Sequence, residues 1–96
     1  MTTTLTRIAT ANARRYMIQL CKHFGHKRPT TYDDVSGSVG FDMGEAKMSA
    51  EPDALVIAAS GPDASSAARV AEVMESHLKR FAFREPDLVV GWVAKA

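Results

Sequence analysis

Between Cys21 and Lys27 the chain reads CKHFGHK, which sets a thiol, two imidazoles and two ammonium groups within seven positions. A second block, HLKRFAFRE, adds His77, Lys79, Arg80 and Arg84. Two chemistries suit these residue types. Cys21, His23, His26 and His77 are a soft donor set that would take zinc or iron. Alternatively, His23, His26, His77, Arg80 and Arg84 would form a basic groove for a small anion, such as a carboxylate- or catecholate-bearing molecule. Spacing weighs against the metal. Helical ligands that share a face stand three or four apart, whereas Cys21 and His23 differ by two and point roughly 200° apart. Only His23 and His26 fit helical spacing, and structural zinc sites normally show two paired clusters rather than one loose one. No cofactor is expected; zinc or iron is the alternative.

Plainer accounts exist for the same residues. Cys21 lies beside Met17, Leu20 and Phe24, where a thiol behaves as a small buried hydrophobe. Lys22, His23, His26 and Lys27 crowd a helix C-terminus, where each cation offsets the negative end of the macrodipole by about 0.3–1 kcal/mol. His77 follows Val70 by seven and Met74 by three, so it sits at the edge of an apolar stripe and needs a hydrogen-bond partner. If the two helices lie side by side, His77 approaches Cys21 or His23. Catalysis finds little support: there is no G-x-S-x-G elbow, phosphate loop or paired-acid signature, and a thiol on a buried helix face is badly placed as a nucleophile. Asp33 and Asp34 are adjacent, and neighbours on a strand point to opposite faces, so a turn suits them better than a cation site.

The elements that must position these groups follow from periodicity. Leu5 to Ala9 reads as a short strand, after which Thr10 or Asn12 can cap a helix carrying Ala13, Tyr16, Met17, Leu20 and Phe24 on one face. Gly25 would close it in a left-handed conformation, and Pro29 prevents its resumption. The period then falls to two. Val39, Phe41 and Met43 alternate with polar or small residues, as do Ala46, Met48 and Ala50, with turn signals at Ser36-Gly37, Met43-Gly44 and Glu51-Pro52-Asp53. Asp63 caps a second helix whose stripe is Ala67, Val70, Ala71, Met74, Leu78 and Phe81. Leu88, Val90 and Trp92 alternate in a last strand. The order strand, helix, three or four strands, helix, strand predicts an α+β two-layer sandwich with both helices on one face of an antiparallel sheet.

Ninety-six residues make one domain, 1–96, with any site on its single core. No apolar run approaches the ~20 residues of a membrane span. One cysteine allows no internal disulfide, which points to a cytoplasmic protein. Net charge is +1, from 12 basic and 11 acidic residues, too little excess for a nucleic-acid binder. The distribution is uneven: residues 1–28 carry six basic side chains and no acid, the remainder six basic and eleven acidic, or +6 against −5. One end should be electropositive, and a monomer or a homodimer would both accommodate that split.

QLCKHFGHK and HLKRFAFRE, separated by a strand-rich segment containing G-x-V-x-F-x-x-G, resemble the bacterial family catalogued as domain of unknown function 2218. The resemblance covers roughly residues 11–92, with Gly25 standing where many members would carry alanine. It implies a small standalone protein or a domain attached to a siderophore-interacting flavin reductase. It supplies no catalytic residues. The function it implies is a non-catalytic binding or accessory module linked to iron or siderophore handling, with such a reductase or a small anionic ligand as partner.

Overall fold

The computed structural model describes residues 1–95. The chain runs β1 (Thr2–Ala9), α1 (Ala13–Phe24), β2 (Thr30–Tyr32), β3 (Ser36–Phe41), β4 (Gly44–Glu51), β5 (Ala54–Gly61), α2 (Ala64–Phe81) and β6 (Val93–Ala94). The six strands form one antiparallel sheet in the order β2-β3-β4-β5-β1-β6. Threonine-rich β1 begins earlier than the apolar alternation suggests, because β-branched Thr2, Thr3 and Thr4 pair with Gly61, Ser60 and Ala59. Asp42-Met43 and Pro52-Asp53 make the two-residue turns that fix the registers Phe41 to Gly44 and Glu51 to Ala54.

Period-two alternation gives the sheet one dry and one wet face. Ile8, Val39, Ala46, Met48, Leu55, Ile57 and Ala59 are buried, while Arg7, Lys47 and Ser49 are exposed. Both helices cover the dry face. α1 packs on β2, β3 and β4 and α2 on β4, β5 and β1, so Met17, Leu20, Cys21, Val70, Met74 and Leu78 enter one core. Every member of the α1 stripe is buried, as are those of α2 up to Leu78. Fully buried Leu20 is a place where truncation to alanine costs about 2–5 kcal/mol. Asp63 caps α2 as expected, its carboxylate accepting from the Ser66 amide at 2.8 Å.

Four local expectations are corrected. Gly25 ends α1 in the right-handed region, at φ −60° and ψ −17°, so the helix stops without a left-handed residue. The Lys27 and Arg28 amides instead fold back onto the Phe24 carbonyl before Pro29. Neither Thr10 nor Asn12 caps α1 with its side chain; both are drawn elsewhere. Ser36-Gly37 is no turn but the start of β3; the reversal lies at Asp33, whose carboxylate accepts from the Val35 and Ser36 amides at 2.9 and 2.8 Å. Gly37 serves packing: a Cβ there would sit 2.8 Å from the Cys21 Sγ. Finally, Leu88, Val90 and Trp92 pack partly buried against the core, but form no ladder, and the last strand is only Val93–Ala94 against Thr4 and Leu5. Alternation in that segment reported burial rather than pairing.

Candidate functional site

Where the last turn of α1 crosses the C-terminal half of α2, the two histidine-bearing blocks meet. The His23 and His77 ring centroids lie 5.0 Å apart, and Phe24 packs between α1 and the sheet at 4.9 Å from His77 and 5.3 Å from Phe41. His23 also meets Phe24 edge-on at 5.1 Å and Phe81 at 5.6 Å. These contacts floor an open groove of about 430 Å³, lined by His23, Phe24, His26, Lys27, Arg28, Phe41, Met43, Val73 and His77. The Arg28 guanidinium lies 5.6 Å from the Phe41 ring centre and 3.3 Å from the Asp42 carboxylate, so it is positioned at the rim.

Groove electrostatics follow from this crowding. Partial desolvation, then the neighbouring His77, Arg80, His26 and Lys27, hold the His23 imidazole below its ordinary value. An anion entering the groove would offset that repulsion. His77 satisfies half of its polar demand locally, with Nδ1 2.8 Å from the Val73 carbonyl oxygen one helical turn back. None of the nine lining side chains is a hydroxyl, thiol or carboxylate, so no acid among them orients an imidazole.

Three of the five basic-groove residues read from the sequence, His23, His26 and His77, therefore come together. Arg80 stands close enough to act on His23 electrostatically but does not line the groove, and Arg84 lies apart, its guanidinium 5.7 Å from the Phe83 ring centre. Lys27, Arg28, Phe41, Met43 and Val73 were missed as site residues, as was Phe24, read only as part of the α1 stripe. The first two carried the only local signal, being part of the basic run; the others belong to strands, turns and a helix face that only the fold brings near. Cys21 faces Gly37 of β3 and is fully buried, which pushes its thiol up to about 11. It is remote in character from a reactive or ligating thiolate. Among the described residues no group of three or more His, Cys, Asp and Glu side chains lies close enough to hold a metal ion.

The expected electropositive end is tempered by ion pairs. Arg7 reaches Glu51 and Asp53 at 3.0 and 3.3 Å, and Arg14 reaches Asp34 at 2.8 Å. Such exposed pairs contribute about 0–1 kcal/mol each. Their larger effect is to cancel charge away from the groove, whose lining cations are Lys27 and Arg28, the latter itself 3.3 Å from the Asp42 carboxylate.

A second polar cluster, not anticipated, sits where the chain leaves α2. The Glu85 carboxylate accepts from the Thr10 hydroxyl at 3.1 Å, from Asn12 Nδ2 at 3.1 Å and from the Tyr16 hydroxyl. It ties the β1–α1 junction to the end of α2. These donors hold Glu85 below the usual carboxylate range, while burial and then Glu85 push the Tyr16 phenol up. A third feature is a cavity of about 550 Å³ between α2 and β1, walled largely by Ala64, Ala67, Ala68 and Ala71 and by Trp92, whose indole N–H donates to Glu75 at 2.7 Å. No helix is long and apolar enough to cross a membrane among the described residues.

Residues 5–93 match the family described as an uncharacterized protein conserved in bacteria, DUF2218. The fold is also that of the NMR structure of PA4090 from Pseudomonas aeruginosa, at 31% identity and a TM-score of 0.82, with 97% of this chain and 96% of that one covered. No curated protein matches.

Proposed function

The chain belongs to this bacterial DUF2218 family, and on that premise we propose that it is a non-catalytic binding or accessory module whose ligand site is the histidine-lined groove. One observation carries the reading. Three imidazoles, a lysine and an arginine surround an aromatic and thioether floor in a concave space of about 430 Å³, and among the described residues none of those polar groups is used up by the protein except His77 Nδ1 and one edge of Arg28. Such a site suits a small planar anion: the ring meets Phe24 and Phe41, and the charge meets Lys27 and Arg28. The lining set, without hydroxyl, thiol or carboxylate, favours binding over catalysis.

The link to iron rests on the company that the family resemblance implies, a siderophore-interacting reductase. The protein then works beside such a reductase, on its ligand. The alternative, a metal-dependent protein using His23, His26 and His77, has less support, because among the described residues those three rings share one groove without lying close enough together to hold an ion.

Calorimetric titration with benzoate tests the reading. Saturable binding that weakens about tenfold in Arg28→Ala, while Arg84→Ala leaves it unchanged, is the expected result, the loss of one charge-assisted contact. Benzoate affinity that ignores Arg28 would count against the groove.

A further inference from the structure

The His77 ring carries more information than its position. Its Nδ1 lies 2.8 Å from the Val73 carbonyl oxygen, and a carbonyl can only accept, so Nδ1 bears the ring proton. The hydrogen bond thereby fixes the tautomer of the neutral ring and leaves Nε2 as a lone pair with no donor among the described residues. His77 lines the groove, and its ring packs at a tilt against Phe24 at 4.9 Å and His23 at 5.0 Å. A ring that is anchored at one nitrogen, packed on aromatic neighbours and unpartnered at the other nitrogen is a preorganised hydrogen-bond acceptor. Across the same groove, Lys27 and Arg28 are donors without acceptor capacity.

A ligand that satisfies both sides must bring an acceptor for the cations and a donor for the imidazole on one rigid frame. We propose that the groove selects hydroxylated aryl carboxylates, with the carboxylate on Arg28 and Lys27 and a ring hydroxyl donating to His77 Nε2. This rests on the binding-module reading above and specifies its ligand class. The hydroxyl is what distinguishes it: a plain aryl acid fills the aromatic floor and meets the cations but leaves Nε2 without a donor. An ether of the same size cannot donate at all.

Three probes separate these contributions: benzoate, 3-hydroxybenzoate and 3-methoxybenzoate, titrated into the whole protein with amide and imidazole ¹⁵N spectra as the readout. The expected result is shifts at His23, Lys27, Arg28 and His77 with all three, and about fivefold tighter binding of the hydroxy acid than of the methoxy acid, the worth of one net hydrogen bond. In folded His77→Phe, which keeps the ring packing, the ratio of hydroxy-acid to methoxy-acid affinity falls to one. Equal affinities for the three in the wild-type protein, with groove shifts present, would overturn the hydroxyl selection and leave the binding reading intact. No groove shifts with any of the three would overturn both.

Discussion

The same pair of helices carries two polar clusters that spend their hydrogen bonds in opposite ways. Around Glu85, three donors from Thr10, Asn12 and Tyr16 converge on one carboxylate, and both partners of each bond belong to the chain. Around His23 and His77 the rings pack on aromatics, yet among the described residues only His77 Nδ1 finds a protein acceptor, and no carboxylate lines the groove. A cluster closed on itself holds a fold together, because an unpaired group there would incur a desolvation cost. One left open toward solvent is available to a ligand. The difference separates architecture from function without reference to residue type, since the sequence made the histidines conspicuous and Glu85 ordinary.

Breaking the closed cluster should give the largest effect. Glu85→Ala leaves Tyr16, Thr10 and Asn12 donors without their acceptor, and Tyr16 and Thr10 are only 5% and 7% exposed. A loss of roughly 2–3 kcal/mol in chemical denaturation is expected, against a change within about 0.5 kcal/mol for Arg28→Ala at the open rim. Comparable losses in the two variants would erase the distinction.

Acid and alkali sharpen the contrast next. Glu85 is depressed in the folded state, so its contribution is present above the unfolded value near 4.5 and is lost as pH falls through the lower folded value. Tyr16 is raised, so its contribution is present below 10.0 and is lost as pH rises through the higher folded value. Stability measured against pH should therefore be flat in this respect between those limits and fall at both ends. Tyr16→Phe should remove the alkaline fall, and Glu85→Gln the acid one.

The smallest effect belongs to His23. Its folded value lies below 6.5, so the unfolded chain binds more protons in that interval and stability rises with pH up to about 6.5. His23→Gln should flatten that shallow slope. If the slope persists in the variant, it arises from another group.

Much of this architecture was legible because it is local. The stripes of α1 and α2, the Asp63 cap and the alternation of β3 and β4 are each read within a few residues. Thr10 and Asn12 look like caps for the same reason, since short polar side chains before an apolar stripe usually bond the first free amides. Glu85 outcompetes those amides from 73 to 75 positions away, and no local pattern encodes that. Leu88, Val90 and Trp92 show the related limit that alternation specifies which side faces the core but not whether a neighbouring strand exists to pair with. For the groove, the approach of His77 to the first block could be anticipated as a possibility of side-by-side helices. Phe41 and Met43 could not, because strand topology rather than sequence spacing brings the β3–β4 turn under α1 and α2.

The most direct test of the central claim is a residue-resolved map of amide shifts on adding 3-hydroxybenzoate. The account predicts saturable shifts at His23, Lys27, Arg28 and His77, with the Thr10, Asn12, Tyr16 and Glu85 signals unmoved. Shifts confined to the alanine-walled cavity beside Trp92, or none at all, would contradict it.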